Sequence, residues 1–292
     1  MPTHAIDATL CTDCGLCAAV CGCLIYEQTD DGVRVNEGMA RLCFHCGHCM
    51  AMCPTQAVTV EGFDYADFRE PGEATTAEGL LGLMLQRRSI RAFTDQPVPR
   101  EVLQQIVDAA ATAPMGIPPS GVEVTGLTMR EQVAQIVPVS VKQIEQLAKM
   151  TGSRIGRFML RRMMGSRGYR EVVDCLLPLV GPGLRMYHEQ GTDLITYDAP
   201  AMLLFHVGPD AVAGETDVVI AATHAMLMAE ALGVGSIMLG FAQAAVAYSK
   251  ELKARFGIPV DHEIKNALAL GYARHSFKRS IPRQLRRVAW QG

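Results

Sequence analysis

Cysteines are the residues of this 292-residue chain whose spacing most directly predicts chemistry, and eight of the ten form two runs near the N-terminus. Both runs have the spacing Cys-x2-Cys-x2-Cys-x3-Cys, with Cys11, Cys14, Cys17 and Cys21 in one and Cys43, Cys46, Cys49 and Cys53 in the other. The repeated spacing indicates a duplicated small unit. Thiolates at i, i+3 and i+6 can each reach a different iron of one cluster, so the runs predict two [4Fe–4S] clusters.

Zinc and disulfides explain the same residues less well. Zinc sites take four ligands from separated cysteine pairs, so each CxxCxxC run would leave one thiol over. The N-terminus has no basic segment followed by an apolar one, so we expect no secretory signal and a reducing, cytoplasmic location, where disulfides do not persist. We expect His45 and His48 to lie beside a cluster or at the surface, and Cys23 and Cys175 to bind no metal.

The two runs resemble those of bacterial ferredoxins with two clusters, in which the fourth cysteine of each run binds the other cluster. The resemblance implies that Cys53 completes the group of Cys11, Cys14 and Cys17, and that Cys21 completes the group of Cys43, Cys46 and Cys49. One position departs from the repeat, because Gly22 stands where the second run has Pro54. Proline would fix φ after the last ligand, and glycine can adopt the same turn with a larger loss of entropy.

The elements around the runs predict a small domain over residues 1–67. Between the runs, "LIYEQTDDGVRVN" consists of two β-prone segments separated by Asp31-Gly32, which predicts a hairpin. Residues 1–76 carry three arginines and eleven acidic residues, a net charge of −8, whereas the remainder is +5. This asymmetry suggests two units with different partners, and the basic excess is too small to indicate nucleic acid. We expect a polar linker at 68–79 and a second domain at 80–292.

The second domain mixes helices and strands without a regular βαβ alternation, which favours an α+β fold. Helices are predicted at "LLGLMLQRR", "VPREVLQQIVDAAATAP", 216–232 and "QAAVAYSKELKARFG", and strands at "VEVTGLTM", "PAMLLFHVG" and "NALALGY". The apolar stretch 218–248 is interrupted by His224, Glu230 and Gly233, so it predicts a buried helix, a turn and a strand rather than a membrane span. No G-x-G-x-x-G follows a strand and no Walker A sequence occurs, which argues against a Rossmann-type nicotinamide domain.

Several segments in order resemble the FMN-dependent nitroreductase family over residues 80–285. They are "RRSIRAF" at 87–93, "AAATAPMGIPPS" at 109–120, "YDAPAMLLFHVG" at 197–208, "MAEALGVGSIMLGF" at 228–241 and "LALGYARHSFKRSIPR" at 268–283. With the cysteine runs in front, the chain looks like a fusion of a ferredoxin with a nitroreductase. The family forms intertwined homodimers with FMN at the interface, and the apolar helix at 216–232 suits such an interface.

The resemblance also implies the residues that bind FMN. Arg87, Arg88, Ser89 and Arg91 match positions that hold the phosphate, the ribityl chain and the N1/O2 edge of the flavin. The other matches are Pro114, Met115 and Gly116, a loop placed beside the flavin of the neighbouring subunit; Leu239 and Gly240, whose backbone amide faces N5; Lys278 and Arg279, which reach the phosphate; and Arg283, a further candidate in the same segment.

Two features limit what the resemblance implies. Pro118 stands near a position that is Asn in better-known members, and Leu239 replaces a common Glu, which puts the usual nicotinamide and nitroaromatic preferences in doubt.

Residues 153–173 alternate arginines with apolar residues. A helix on a membrane surface has this pattern, but we expect a packed helix with a solvated face, or a lid over the flavin.

Together the resemblances imply an oxidoreductase in which two clusters pass electrons to FMN and on to a small acceptor, such as a nitro compound, quinone or activated alkene. The donor is an external ferredoxin, which the acidic N-terminal part slightly favours, or NAD(P)H. A flavoprotein reduced directly by NAD(P)H and a non-catalytic electron carrier or redox sensor are the alternatives. We name no catalytic acid or base, and we expect His206, His224 and Tyr272 to be structural.

Overall fold

The computed structural model describes residues 2–73, 75–117 and 121–292, except the side chains of Glu171, Cys175 and Leu179. Pro118 and the side chain of Cys175, on which two of the expectations above depend, therefore lie outside the described residues. The chain forms two compact units, Met1–Thr76 with Met115–Ser120, and Ala77–Pro114 with Gly121–Gly292.

The first unit consists of short strands and two short helices around the cysteine runs. Strand β1 (His4–Ile6) pairs with β4 (Val58–Val60), and β2 (Tyr26–Thr29) pairs with β3 (Gly32–Val35), both antiparallel. The helices are α1 (Leu16–Val20) and α2 (His48–Met52), with short 3-10 turns at Ala40–Leu42 and Tyr65–Asp67. The β2–β3 pair confirms the predicted hairpin. Ile25, Tyr26, Met50, Val58 and Val60 form the apolar core between the runs.

The backbone of the first unit repeats with the same offset of 32 residues as the cysteines. The glycines that precede the two helices have φ near +70° (Gly15 and Gly47), and two pairs of non-glycine residues also have positive φ, Asp13 with His45 and Leu24 with Gln56. A positive φ in a residue with a side chain costs on the order of 1–2 kcal/mol. The duplication therefore extends to unfavourable conformations, which the surrounding structure must impose on both halves.

The second unit is built on an antiparallel sheet of four described strands in the order β5–β6–β8–β7. They are β5 (Val122–Leu127), β6 (Ala201–Val207), β7 (Gly235–Met238) and β8 (Glu263–Gly271). Every residue of β6 is buried, as expected for a central strand covered on both faces. These strands confirm the predictions at 122–129, 200–208 and 266–272.

Helices cover this sheet and confirm most of the predicted helical segments. They are α3 (Ala77–Gln86), α4 (Arg100–Ala110), α5 (Arg130–Ala134), α6 (Ile136–Gly152), α7 (Arg154–Arg170), α8 (Leu177–Gln190), α9 (Gly214–Ala231), α10 (Gly240–Ala247) and α11 (Lys250–Arg255). A π-helical turn, Glu171–Leu176, joins α7 to α8. Helix α9 packs against α4 and β8, and a turn then leads into β7, as predicted for 218–248. Within the described residues, no helix is both long and apolar enough to cross a membrane.

Two helical predictions are corrected. "QAAVAYSKELKARFG" is not one helix, because α10 ends at Ala247 and the hydroxyl of Ser249 accepts a hydrogen bond from the Leu252 N–H as the N-cap of α11. The basic segment 153–173 is helical but is interrupted at Gly165, with φ 70° and ψ 174°. Its apolar side chains are not all packed, since Ile155 and Phe158 are 75% and 69% exposed. The expectation of a packed apolar face therefore holds only in part.

Candidate functional site

The structure brings cysteines of both runs together in the first unit. Cys11, Cys14, Cys17 and Cys53 line one small cavity, whose wall also includes the backbone at Gly15 and the side chains of Val33 and Val58. Three of these thiols come from the first run and the fourth from the second run. The grouping is the one that the ferredoxin resemblance implies.

The second group has the mirror arrangement, with Cys21 among thiols of the second run. Burial raises the pKa of Cys49, the Tyr26 hydroxyl opposes this shift, and the nearby Cys21 and Cys46 raise the pKa further. Burial also raises the pKa of Cys23, with added contributions from Cys21, Cys43 and Cys46. Cys23 thus lies beside this group, which the sequence did not predict.

Backbone N–H groups point at the sulfurs at equivalent positions of the repeat. The N–H of Ile25 donates to Cys21 Sγ at 3.4 Å, and the N–H of Ala57 donates to Cys53 Sγ at 3.2 Å. Burial would raise the pKa of Cys53, but hydrogen bonds from Val58, Thr55 and Ala57 lower it below its ordinary value. Such donors stabilise thiolates, the form that binds metal, and tune the potential of a bound cluster.

The two histidines of the second run have different surroundings. His45 Nε2 lies 2.7 Å from the carbonyl oxygen of Glu61, and its ring stacks on Phe63 with a centroid distance of 4.2 Å. His48 is exposed at the start of α2. His45 is thus held by the loop after β4, and ligation by either histidine has no support from these contacts.

The second unit has a cavity of about 610 Å³ between the end of α3, the start of β7 and the segment after β8. Arg88, Lys278 and Arg279 line it, so three predicted cations converge on one space. Arg88 is buried and its Nη1 donates to the Arg87 carbonyl oxygen at 2.6 Å. Its Nε is buried without a hydrogen-bond partner among the described residues, and so is Ser236 Oγ on the neighbouring strand β7. Buried donors without partners are rare and point to a missing ligand or water.

Residues that were not predicted to bind FMN also line the cavity: Gln86, Glu230, His275 and Phe277. Burial raises the pKa of Glu230, and the positive charges of Arg87 and Arg88 oppose that shift. Glu230 therefore partly balances the arginines next to the cavity. A carboxylate at this place was not recognisable from the sequence, because it comes from α9, about 140 residues after "RRSIR".

None of the other predicted flavin residues is among the described residues that line this cavity. Ser89 forms an isolated parallel bridge with Ser236, Arg91 is exposed, and Pro114 is exposed after α4. Met115 and Gly116 group with the first unit.

The N–H of Leu239 donates to the Ala267 carbonyl oxygen at 2.8 Å, so this amide already has an acceptor. The N–H of Gly240, the first residue of α10, has no acceptor within its helix and remains the amide suited to a ligand. Arg283 is exposed in the C-terminal segment.

Comparison with known proteins identifies the family of the second unit. The model of the nitroreductase family matches residues 84–272, more than half of the chain. A nitroreductase with bound FMN from Bacteroides fragilis is 19% identical with a TM-score of 0.53, and the match covers 74% of this chain and all of that one. A nitroreductase with bound FMN from Desulfitobacterium hafniense is 22% identical with a TM-score of 0.52, covering 73% and 98%. At these identities the structures establish a shared α+β fold. None of the curated proteins matches the sequence. The chain belongs to the nitroreductase family and is an oxidoreductase of nitroreductase type.

Proposed function

We propose that the protein is an iron–sulfur flavoenzyme that reduces a small organic acceptor, such as a nitro compound, a quinone or an activated alkene. When bound, two [4Fe–4S] clusters supply one-electron transfer and FMN supplies two-electron reduction of the acceptor. The observation that carries the proposal is the cavity of the second unit, where the buried Arg88 has a donor without a partner.

The cavity fits the phosphate end of FMN. Arg88 can offer a planar fork of donors to phosphate oxygens, and Lys278 and Arg279 add positive charge from the segment after β8. The cavity lies beside "RRSIR", so Arg87, Ser89 and Arg91 are proposed for the ribityl chain and the flavin edge. We further propose that the backbone amide at Leu239 and Gly240 lies near flavin N5, with Gly240 as the donor.

We propose that a second copy of the chain completes the flavin site. In the nitroreductase resemblance, the loop with Pro114, Met115 and Gly116 belongs to the neighbouring subunit. Helix α9 has a suitable surface for such a dimer, because Val219 is 48% exposed and Ile220, Met226 and Leu227 are half-buried. Association of copies through this face would bury apolar surface that one chain leaves in water.

The two thiol groups of the first unit fit two [4Fe–4S] clusters. We propose that Cys11, Cys14, Cys17 and Cys53 hold one cluster, and that Cys21, Cys43, Cys46 and Cys49 hold the other. The support is the shared cavity of the first set, the proximity of Cys49 to Cys21 and Cys46, and the N–H donors on the sulfurs. In this scheme the domains are a ferredoxin domain at 1–67, a linker at 68–79 and an FMN-binding domain at 80–292. The acidic first unit favours reduced ferredoxin over NAD(P)H as the donor.

The test combines composition with the route of reduction. Protein purified anaerobically should contain about eight irons, about eight labile sulfides and one FMN per chain. Reduction of the flavin by reduced ferredoxin, NADH and NADPH is then followed at the flavin absorption band. The variant Cys14→Ala removes a proposed ligand of the first group, and Cys23→Ala is the matched control.

We expect Cys14→Ala to lower the iron content and to slow flavin reduction by ferredoxin at least tenfold, whereas Cys23→Ala leaves both unchanged. Fewer than about six irons per wild-type chain would refute the clusters. Equally fast reduction by NADH in both variants would favour a flavoprotein reduced directly by nicotinamide. A reduced flavin that transfers electrons to none of the three acceptor classes would favour an electron carrier.

A further inference from the structure

Three side chains that could bind a metal meet in the second unit, away from the cavity and from the cysteines. Glu123 of β5 and His206 of β6 are paired across the sheet, so their side chains leave the same face. His262, which precedes β8, joins them. His206 Nδ1 and His262 Nδ1 lie 2.9 Å apart, and Glu123 Oε2 lies 4.0 Å and 3.9 Å from these two nitrogens.

The orientation of His206 is fixed by its surroundings. Its ring is buried, and its Nε2 lies 3.1 Å from the hydroxyl of Thr125 on the neighbouring strand. When Nε2 carries the proton and donates to that hydroxyl, Nδ1 presents a lone pair to the other two side chains. Metal-binding histidines similarly donate the N–H of the ring nitrogen that does not bind the metal to an oxygen acceptor.

The loop that carries His262 is also held in place. The ammonium group of Lys253 is buried and donates to the carbonyl oxygens of Val260 and His262 at 3.1 Å and 2.7 Å. Close to the ring, a β-carbon at Gly208 would lie 3.3 Å from His262 Nε2 and 2.8 Å from Asp210 Oδ1, so only glycine fits there without displacement. Both histidines thus reach the meeting point from fixed backbone.

We propose that Glu123 Oε2, His206 Nδ1 and His262 Nδ1 bind one Zn²⁺ ion. Two imidazoles and one carboxylate are a common set of zinc ligands. Zn–N bonds of 2.0–2.1 Å in a tetrahedron separate two ligand atoms by roughly 3.3 Å. The observed separations of 2.9, 3.9 and 4.0 Å bracket that value. Rotation of the exposed Glu123 side chain shortens the two longer separations, and a small shift of the His262 ring away from His206 widens the shorter one. The fourth position faces solvent, because the Glu123 side chain is 57% exposed.

One positive and one negative side chain, Lys253 and Glu123, set the electrostatic environment of a cation at this site. Burial lowers the pKa of His206, Glu123 opposes this shift, and the nearby His262 and Lys253 lower the pKa further. The positive charge of the Lys253 ammonium also repels a metal cation at the site, and the negative charge of the Glu123 carboxylate offsets this repulsion. If the two rings shared only a hydrogen bond, a carboxylate within 4 Å of both rings would not be required. The ion would join β5, β6 and the loop before β8, and it depends on neither FMN nor the clusters.

The test uses full-length protein with its clusters intact, treated with EDTA, incubated with Zn²⁺ and desalted. Zinc per chain is measured by mass spectrometry, and the melting temperature is measured with and without Zn²⁺. The variants are Glu123→Gln and His262→Gln, which change exposed or half-buried side chains and leave the buried His206 in place. The matched controls are Glu145→Gln and His188→Gln, because that pair is 2.8 Å apart, combines an exposed histidine with a half-buried glutamate, and has no third ligand in the part of the chain that the structure describes.

We expect each site variant to bind one Zn²⁺ fewer per chain than wild type, and to lose the rise in melting temperature that bound metal gives the wild type. The controls should behave as wild type. Zinc bound elsewhere, including at cysteines, is common to all five proteins and cancels in the comparison. Equal zinc content in wild type and both site variants would overturn the proposal.

Discussion

Replacement of Arg88 by methionine separates the binding role of this residue from its structural role. Arg88 is 9% exposed, lines the cavity, and has an Nε without a partner among the described residues. If it holds the phosphate of FMN, its removal leaves a charged ligand group without its counter-charge. Truncation of one partner in such a buried pair costs about 2–5 kcal/mol, which raises the dissociation constant of FMN by roughly 30-fold to a few thousand-fold.

The same change should have little effect on the protein without FMN. Methionine removes the buried donor without a partner, which costs about 1–3 kcal/mol in the wild type. It also removes the Nη1 hydrogen bond to the Arg87 carbonyl, worth about 0.5–1.5 kcal/mol. The two terms oppose each other, so the free energy of unfolding of the apoprotein should fall by no more than about 1 kcal/mol and can rise.

Both quantities can be measured on one preparation. FMN affinity follows from the quenching of FMN fluorescence when apoprotein is added, and stability follows from urea unfolding of the apoprotein. Arg100→Met is the control, because Arg100 is an exposed arginine at the start of α4 in the same unit. Unchanged FMN affinity in Arg88→Met would refute the proposed phosphate contact. A loss of apoprotein stability as large as the loss of binding energy would show that Arg88 is structural.

Three further predictions concern single residues. Gly22→Pro should raise the stability of the first unit by about 0.4–1 kcal/mol. The reason is that Cys21, the residue before it, already has the extended conformation that proline requires, with φ −83° and ψ 100°. An unchanged or lower midpoint in urea unfolding would contradict this prediction. Gly15→Ala should lower stability by about 1–2 kcal/mol, since Gly15 has φ +71°; a neutral result in thermal unfolding would contradict it. Burial raises the pKa of Glu230, so ionisation in the folded apoprotein costs stability as pH rises from its ordinary value of 4.5. Glu230→Gln should therefore gain stability relative to wild type as pH rises above 4.5, and parallel pH profiles would exclude this effect.

The features that the sequence predicted well are local in the chain. The cysteine runs have ligand spacing within eleven residues, and the hairpin between them depends on one short turn. The break between α10 and α11 was missed, because apolar spacing continues through it and only the Ser249 cap marks it. Binding of clusters and FMN by the named residues stays a prediction.

The features that the sequence did not predict depend on tertiary placement. Glu123 and His206 are 83 residues apart, and only the register of β5 on β6 puts them side by side. His206 was expected to be structural, because the sequence assigned the chemistry to the cofactor, and a single histidine in an apolar strand shows no partner along the chain. Similarly, nothing local shows that the Leu239 N–H is bonded to Ala267, or that Glu230 reaches the cavity of Arg88.

The exchange of fourth cysteines between the halves of the first unit has a consequence for its maturation. Cys53 lies with the thiols of the first run, and Cys21 lies with those of the second. Neither half therefore contains a complete quartet, and a growing chain that ends before Cys53 exposes three thiols with no fourth. Under the proposed ligand sets, iron incorporation would wait until the second half has been synthesised and has folded onto the first, and a break between the halves would disable both quartets at once.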